Sequence, residues 1–339
     1  MPVEIVVDAM GSEKAPESEI RGAILACRAF DIAVKLAGPE EILRPALNYA
    51  LGIRSRFPGG LPISIAHASE WIKMDDKAAQ AVRSKRDSSM RVGLKLVREG
   101  TAQGFFTAGN TGAAMATAKM VLGGLSGVDR PALATILPSV TGVPTLLLDV
   151  GANVDSDPEN LVQFAVMGSM YAKNVLKMRN PRVGLLSIGE EDSKGNSLTR
   201  DALPILRAHQ GINFIGNVEG RDLFNGTADV VVCDGFVGNV ALKTSEGVAR
   251  LVSVTLRESL KSTVTSQVGA LLSRAAFNAF KKRLDYSEYG GAPLLGVRGV
   301  CIVGHGSSND KAVMNGIRVA AEFASAEVNT GIEAALARQ

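Results

Sequence analysis

Six short apolar runs in this sequence each end in a turn rich in Gly, Asn, Asp and Ser, and each turn leads towards a helix-like segment. Backbone N–H groups in a glycine turn can approach an anion closely, and the N-terminus of a following helix adds unpaired donors and the positive end of its dipole. Since open α/β sheets bind ligands outside the carboxyl ends of their strands, the six turns predict a single polar crevice. They are Asp8-Ala9-Met10-Gly11, Ala108-Gly109-Asn110-Thr111-Gly112, Asp149-Val150-Gly151-Ala152-Asn153, Ser187-Ile188-Gly189-Glu190-Glu191-Asp192, Asp234-Gly235-Phe236-Val237-Gly238-Asn239 and Gly304-His305-Gly306-Ser307-Ser308-Asn309.

Two of these turns are the best candidates for binding an anion through backbone donors. They are residues 304–309, before the last predicted helix, and Asn110-Thr111-Gly112, before the apolar segment 113–122. The alternative for any one turn is that Asn, Ser and Asp cap a helix and Gly shapes a turn. Six such turns at equivalent strand ends favour a ligand site over that alternative.

Two side chains in these turns are candidates for work at a reacting centre. Lys194 is the only cation in the acidic loop that runs from Gly189 to Asn196. If this loop folds over the crevice, the ammonium group pairs with a phosphate or polarises a carbonyl; otherwise the loop is a solvated turn. His305 lies between two glycines, whereas His67 and His209 have the sequence context of structural and surface residues.

The composition is that of an ordinary globular protein. The 339 residues are 46% hydrophobic and 21% charged, and the formal net charge of +3 is too small to indicate nucleic-acid binding. The three cysteines are scattered, so neither a zinc site nor a disulfide framework is expected. The first residues lack the basic start and apolar stretch of a signal peptide, and no apolar run is long enough to span a membrane. A cytoplasmic location is therefore expected.

The standard nucleotide-binding and hydrolase signatures are absent. Gly304-x-Gly306 lacks the third glycine of the dinucleotide fingerprint, and neither a phosphate-binding P-loop nor a G-x-S-x-G motif occurs. The sequence therefore does not support binding of nicotinamide, flavin or ATP cofactors through these standard loops.

Short apolar runs alternate with longer amphipathic segments along the chain. This alternation predicts an α/β fold with a mostly parallel sheet and helices on both faces. The predicted strands are residues 4–7, 33–37, 63–66, 104–107, 132–137, 145–148, 183–187, 212–215, 229–233 and 300–303; the predicted helices include 158–178, 197–209, 237–260 and 309–337. Strands 132–137 and 145–148 are joined too closely for a crossover helix, so they should pair antiparallel. Since no linker or repeat occurs, residues 1–339 are expected to form one domain, with two lobes possible.

The segment 261–284 differs from the rest because it has no acidic residue. Its apolar residues recur at helical spacing, and basic residues are interspersed or follow them. A basic amphipathic helix indicates contact with a membrane surface or a partner; the alternative is a helix packed on the body or on a second subunit. The candidate contact residues are Val268, Leu271, Leu272, Arg274, Phe280, Lys281 and Lys282.

The chain resembles the bacterial acyl-ACP:phosphate acyltransferases, enzymes that start phospholipid synthesis by making acyl phosphate. The six turns carry the resemblance, together with Lys194-Gly195-Asn196, Asp129-Arg130-Pro131-Ala132-Leu133, Gly220-Arg221-Asp222 and residues 286–296, in register from about residue 3 to 325. One departure is Gly11-Ser12-Glu13-Lys14-Ala15-Pro16, where the family more often has Gly-Gly-Asp-x-Ala-Pro. This departure bears on the role of Glu13.

The resemblance implies a Rossmann-like three-layer sandwich, similar to isocitrate and isopropylmalate dehydrogenases and to phosphotransacetylase. It also implies a homodimer in peripheral contact with an anionic membrane through a protruding helical hairpin at residues 258–285. The implied reaction converts long-chain acyl-ACP and phosphate to acyl phosphate and ACP, with no redox cofactor and no obligatory metal. A glycerol-3-phosphate acyltransferase would act downstream.

Site residues follow from the turns and from this reaction. The candidates for catalysis are Lys194, Asn110, Asn196 and His305, with Lys194 neutralising charge. The candidates for binding phosphate or orienting the substrate are Asp8, Gly11, Gly109, Thr111, Gly112, Asp149, Asn153, Asp234, Asn239, Gly304, Gly306 and Ser307. The alternatives are a fold-related dehydrogenase or phosphotransacetylase-like enzyme, and a non-catalytic scaffold that recruits ACP to the membrane surface.

Overall fold

The structure, a computed structural model, describes residues 2–52, 60–284 and 290–337, without the side chains of residues 282–284. The described residues form one eleven-stranded sheet. Its strands are β1 (Val3–Asp8), β2 (Ile32–Gly38), β3 (Ile63–His67), β4 (Gly104–Thr107), β5 (Ala132–Leu137), β6 (Thr145–Leu148), β7 (Arg182–Leu186), β8 (Asn213–Val218), β9 (Val230–Val232), β10 (Ala292–Leu295) and β11 (Cys301–Val303).

The strands run in two opposite directions. The order across the sheet is β3-β2-β1-β4-β11-β10-β5-β6-β9-β7-β8. All neighbours pair parallel except β10, which is antiparallel to both β11 and β5, and β5, which is antiparallel to β6. Strands β1, β4 and β11 therefore end at one edge of the sheet, the first edge. Strands β6, β7 and β9 end at the opposite edge, the second edge.

Helices connect most of the strands. They are α1 (Glu17–Ala29), α2 (Glu40–Leu51), α3 (Ala78–Ser84), α4 (Ser89–Arg98), α5 (Thr111–Leu122), α6 (Pro158–Asn174), α7 (Ser197–Ala208), α8 (Asp222–Asn225), α9 (Gly235–Lys261), α10 (Val264–Leu272), α11 (Arg274–Leu284), α12 (Asp310–Ala324) and α13 (Val328–Leu336). No helix among these residues is both long and apolar enough to cross a bilayer.

Two apolar cores lie on the two faces of the sheet, because alternate residues of a strand point to opposite faces. Ile5 and Val7 of β1 belong to one core, with side chains of α1, α6 and α12. Val6 belongs to the other, with side chains of α4 and α5. The predicted α/β fold with a mostly parallel sheet and helices on both faces is confirmed.

Every predicted strand is present, with ends that differ by at most three residues, and β5 and β6 pair antiparallel as predicted. β10 was not predicted, because its four residues follow Gly290 and Gly291 and include Pro293, a context typical of a turn. The predicted helix at 309–337 is wrong as one helix. It is divided into α12 and α13, and Glu327 between them has a left-handed φ of 49°.

Residues 258–284 of the predicted hairpin form the end of α9 followed by α10 and α11, and residue 285 lies outside the described residues. Helix α10 packs back on α9, and none of its side chains is buried. Leu271 and Leu272 are 69% and 82% exposed, and Val268 and Phe280 are also exposed. Arg274 and Lys281 lie at the surface. The side chain of Lys282 and the motif residues 286–289 lie outside the described residues.

Candidate functional site

Three of the sequence-predicted turns meet at the first edge. Strand β4 lies between β1 and β11, so the segments that follow these strands are neighbours. Gly304 N–H donates to the carbonyl of Thr107 at 2.7 Å, and Glu13 N–H donates to the carbonyl of Gly306 at 2.9 Å. A Cβ atom on Gly11 would lie 2.9 Å from the amide nitrogen of Gly109, which only glycine permits. Residues 8–13, 107–112 and 304–309 are called the first-edge turns below.

Asp8 holds these turns together from inside the protein. Its side chain is buried, and Oδ2 accepts the hydroxyl proton of Thr107 at 2.7 Å while Oδ1 accepts the Met10 N–H at 3.3 Å. Burial raises the pKa of this carboxyl, and the hydrogen bonds oppose that rise. Asp8 is therefore an internal anchor of the turn and does not face solvent.

The N-terminus of α5 presents donors at the first edge. The Asn110 side chain caps the helix by accepting the Ala113 N–H at 3.0 Å, and its amide donates to the carbonyls of Met74 and Asp76 at 3.1 Å. Thr111 is exposed and Gly112 is half-buried. N–H groups in the first turn of a helix have no acceptor within the helix. The geometry thus supports backbone binding of an anion, with Asn110 in a capping role.

Helix α12 begins after β11, the strand next to β4, and packs on the face of the sheet opposite to α5. Asn309 caps α12 through the Ala312 N–H at 2.9 Å. His305 is exposed, and its Nδ1 lies 2.8 Å from Ser307 Oγ and 3.2 Å from Ser307 N. Gly306 is buried, and a Cβ there would lie 2.7 Å from Met74 Cε. Since Met74 also carries the carbonyl bound by Asn110, the segment around Met74 joins the two helix N-termini.

At the second edge, Asp149 is the hub of a different group of turns. Its side chain is fully buried and accepts N–H groups from Leu133, Gly151, Ala152 and Asn153 at 2.7–3.2 Å. The Asn153 amide also donates to it, at 2.9 Å. Burial raises the pKa of Asp149, and these bonds oppose the rise. Like Asp8, Asp149 builds the turn from inside.

Helix α9 begins against this hub. Asp234 caps α9 by accepting the N–H groups of Phe236 and Val237 at 3.0 and 3.1 Å. A Cβ on Gly238 would lie 1.9 Å from the carbonyl oxygen of Asp149, so glycine is required at this contact. Asn239, one residue later, is exposed. Of the predicted residues in this turn, Asn239 is the one placed to meet a substrate.

The Lys194 loop also lies at the second edge, after β7. Lys194 is exposed, and its backbone N–H donates to the carbonyl of Glu191 at 3.0 Å. Asn196 caps α7 by accepting the Thr199 N–H at 2.9 Å. The acidic residues of the loop are paired in part, Asp192 with Arg207 and Glu190 with Arg221. The Lys194 ammonium is thus accessible from solvent.

The six turns do not share one edge of the sheet, which corrects the expectation of a single crevice along one edge. Residues 8–11, 108–112 and 304–309 lie at the first edge, whereas the turns after β6, β7 and β9 lie at the second. The physical reason is the reversal of strand direction at β10 and between β5 and β6.

One polar residue at the first edge was missed by the sequence analysis. Glu19 of α1 is fully buried, and its Oε1 accepts the Ser12 N–H at 3.3 Å. Burial, and to a smaller extent the charge of Asp8, raises the pKa of Glu19 to about 7. Glu19 lies in a segment with charged residues on either side, so its sequence context is that of an exposed helix turn. The sequence feature that could have pointed to Glu19 was its hydrogen-bond partner Ser12, where the chain departs from the family pattern.

Solved structures with the same fold place the chain in a structural class. A phosphotransacetylase from Streptococcus pyogenes matches with a TM-score of 0.64 and 16% identity, covering 96% of this chain and 94% of that one. A branched-chain phosphotransacylase from Enterococcus faecalis V583 matches with a TM-score of 0.57 and 15% identity, covering 95% and 99%. A 4-hydroxythreonine-4-phosphate dehydrogenase from Klebsiella pneumoniae matches with a TM-score of 0.54 and 13% identity, covering 95% and 98%. The chain is thus an α/β protein with the fold of the phosphotransacetylases.

Sequence comparison is more specific. The chain belongs to the family described as fatty acid synthesis protein, whose model matches residues 3–331. A relative from Acidobacterium capsulatum, named phosphate acyltransferase, is 69% identical over 335 residues, which are 98% of this chain and 97% of the relative. A relative of the same name from Koribacter versatilis is 61% identical over 337 residues, covering 98% and 92%.

Proposed function

We propose that this protein is a phosphate acyltransferase that converts long-chain acyl-ACP and inorganic phosphate to acyl phosphate and ACP in phospholipid synthesis. The relatives of that name, matched over nearly the whole chain, support this function. The structural observation that carries it is the pairing of β4 with β11, which brings the glycine turns before α5 and α12 to the same edge of the sheet. Glycine turns at the start of helices are suited to an inorganic anion.

The proposed reaction does not require a nucleophile from the protein. A phosphate oxygen attacks the thioester carbonyl carbon, the C–S bond breaks, and the thiolate of the carrier leaves and takes up a proton. Phosphate is already a nucleophile, so the protein binds it, aligns it with the carbonyl and stabilises the developing oxyanion. In our proposal the backbone donors of residues 110–112 and of Gly306 hold phosphate, because the N–H groups of Gly109, Gly304 and Ser307 are already bonded within the turns. The His305–Ser307 pair lines the same turn.

The buried carboxyls and the capping amides have supporting roles in this proposal. Asp8, Asp149 and Asp234 accept backbone or hydroxyl protons and so fix the turns. Asn110, Asn153 and Asn196 are engaged with the backbone. Lys194 and Asn239 are exposed at the second edge, opposite the turns that hold phosphate in this proposal. Lys194 therefore neutralises charge at the reacting centre only where the substrate reaches both edges.

The decisive experiment is incubation of the purified protein with palmitoyl-ACP and labelled inorganic phosphate. We expect label in acyl phosphate and release of ACP with a free thiol. Acetyl-CoA in place of palmitoyl-ACP separates a phosphotransacetylase-like activity, and a titration with nicotinamide nucleotides tests the dehydrogenase alternative. Absence of labelled acyl phosphate, with intact acyl-ACP recovered, would rule out the proposed reaction and leave the scaffold alternative.

The assembly and location of the protein are also proposals. We propose that residues 1–339 form a single domain, from which the hairpin at residues 258–285 projects. We propose a homodimer in the cytoplasm that touches anionic membrane surfaces through the exposed Leu271 and Leu272. Acyl phosphate made at that surface would pass to a glycerol-3-phosphate acyltransferase.

A further inference from the structure

A buried glutamate holds the middle of one first-edge turn. Glu19 lies in the first turn of α1, and its side chain is 0% exposed. Oε1 accepts the Ser12 N–H at 3.3 Å, and Oε2 has no hydrogen-bond partner among the described residues. Burying a charged carboxyl is unfavourable unless it is paired and hydrogen-bonded. Its presence here is therefore better explained by what it does for Ser12 than by a gain in stability.

The two neighbours of Ser12 contact the other first-edge turns. Gly11 packs on Gly109, where a Cβ would lie 2.9 Å from the amide nitrogen, and Glu13 N–H donates to the carbonyl of Gly306 at 2.9 Å. Ser12 is itself buried. A shift of Ser12 would thus move both contacts together.

Glu19 is in turn fixed with respect to α12. Three residues later, a Cβ on Gly22 would lie 2.5 Å from the Val313 Cβ and 2.8 Å from the carbonyl oxygen of Asp310. Helices α1 and α12 therefore pack with their backbones close together. Since α12 begins directly after residues 304–309, Glu19 links Ser12 to the same rigid frame that carries the third turn.

We propose that Glu19 is a positioning residue for phosphate, which sets the Gly11–Glu13 segment against the turns at residues 107–112 and 304–309. The proposal rests on the proposed function and deepens it, because it assigns a determinant of phosphate affinity outside the turns themselves.

If Glu19 positions phosphate, its ionisation should make phosphate affinity depend on pH, which a residue with a purely structural role would not do. Burial raises the pKa of Glu19 to about 7, and the charge of Asp8 on β1 adds to the rise. The other charged or titratable residues of the preceding turn and of the elements packed against α1 are Glu4, Glu13, Lys14, Lys35, Glu40, Glu41, Arg44, Tyr49, His67, Asp310, Lys311, Arg318 and Glu322. A bound anion disfavours ionisation of a nearby carboxyl, so by linkage the ionised carboxyl weakens anion binding.

The test compares Glu19→Ala with Glu19→Gln in steady-state assays that vary phosphate and acyl-ACP separately. Glu19→Ala removes the acceptor of the Ser12 N–H, and we expect the phosphate KM to rise about tenfold with an unchanged acyl-ACP KM. Glu19→Gln keeps an acceptor oxygen, and at pH 6 we expect a phosphate KM within about twofold of the wild type. Glu17→Ala on the exposed face of α1, which removes an ion pair with Arg21, is the matched control and should change neither KM.

The pH profile supplies the second readout. Between pH 6 and pH 8, we expect the ratio of phosphate KM values, wild type over Glu19→Gln, to rise about threefold or more, because only the wild type gains a charge. The ionisation of phosphate itself affects both proteins equally and cancels. If Glu19→Ala does not fold, the pH dependence of the phosphate KM in the wild type and in Glu19→Gln is sufficient to test the proposal. A flat ratio, or equal rises in both KM values for Glu19→Ala, would overturn the proposal.

Failure of the proposed function is distinguishable from failure of this inference. If the wild type makes no acyl phosphate, calorimetric titration with inorganic phosphate alone still measures the effect of Glu19→Ala on affinity. Weaker binding in the variant supports the positioning role. Equal binding, or no binding by the wild type, contradicts it.

Discussion

Asp8 and Asp149 occupy corresponding places in the two halves of the sheet. Each lies at the end of a buried strand, precedes a glycine turn, and accepts hydrogen bonds both from its own turn and from a neighbouring strand. Neither carboxyl reaches solvent. At the scale of single residues, the sequence pattern therefore identified the side chains that build the turns more readily than those placed to meet a substrate.

Gly306 tests whether the first-edge turns bind phosphate. In Gly306→Val the side chain would displace the end of Met74 and crowd the space between the two helix N-termini. Its backbone is not in the left-handed region, so strain is small. We expect the phosphate KM to rise much more than the acyl-ACP KM. Equal effects on both constants in a folded protein would contradict an anion site here, and thermal unfolding checks the fold.

A substitution of Lys194 tests whether the second edge takes part in the reaction. If the reacting centre extends to the second edge, Lys194→Ala should lower turnover by about a hundredfold or more, as loss of one positioned electrostatic group does, because its ammonium is the accessible cation of the loop after β7. The free energy of unfolding should change little, since an exposed lysine has few packing contacts to lose.

The matched control for Lys194 is Lys119→Ala, which removes an exposed cation from the last turn of α5. Single-turnover measurement of acyl phosphate formation compares the two. Near-normal turnover in Lys194→Ala would remove this residue from the mechanism.

At the scale of elements, local patterns were sufficient for the strands and most helices but not for β10. β-Branched runs such as Ile5-Val6-Val7 are strong local signals, whereas β10 contains Pro293 and owes its place to antiparallel neighbours on both sides. The end of α12 at Ala324 is likewise set by tertiary structure, since the apolar pattern continues into α13. Propensity is a weak signal where packing decides.

The helical hairpin carries a prediction of its own. Changing Leu271 and Leu272 together to Glu should release the protein from anionic vesicles, while turnover of soluble acyl-ACP persists. Burying one leucine stabilises binding by roughly 1.5–3 kcal/mol, and each cation near an anionic bilayer adds about 1 kcal/mol. Because both leucines are exposed, the fold of the protomer should tolerate the change. Vesicle co-sedimentation and size-exclusion chromatography measure the two outcomes.

The control for the hairpin adds the same negative charge and leaves the leucines in place. Gln267→Glu with Asn278→Glu does this at exposed polar positions of α10 and α11. Binding of the control should weaken modestly and recover at low salt. A Leu271→Glu, Leu272→Glu protein that still sediments with vesicles as a folded dimer would exclude α10 as the membrane contact.

At the scale of the whole molecule, the sequence predicted one reversal of strand direction, between β5 and β6, but not the reversals on either side of β10. A strand-end turn looks the same whichever way its strand runs in the sheet. Direction is fixed by pairing between distant segments, such as Leu294 with Leu133. The residue types of segments 8–11, 108–112 and 304–309 were thus sufficient to predict that these turns lie together. Their separation from Asp149 and Lys194 could not be predicted in this way.

Buried carboxyls also give the molecule a pH-dependent stability. The folded-state pKa of Glu19 is about 7 and its ordinary value is 4.5, so the folded state retains a proton that the unfolded state has lost between these values. The stabilisation from that proton is present below pH 4.5 and is lost as the pH rises towards and through 7. Glu19 should therefore lower the free energy of unfolding by about 2 kcal/mol between pH 5 and pH 8.

Urea unfolding of the wild type and Glu19→Gln at both pH values measures this contribution at constant protein concentration. The wild type should lose about 2 kcal/mol more than the variant over this interval. Equal losses in the two proteins would show that Glu19 ionises in the folded state as readily as in the unfolded chain.

The pairing of β4 with β11 has a consequence for folding of the chain during its synthesis on the ribosome. Thr107 pairs with Val303, so the third first-edge turn comes from nearly the far end of the chain. Domains fold as their residues emerge during synthesis, and contacts between distant segments must wait for the later one. A nascent chain halted before β11 can complete the Asp149 turns of the second edge, yet it lacks one wall of the anion site. Premature termination near residue 300 should thus leave a chain that cannot bind phosphate.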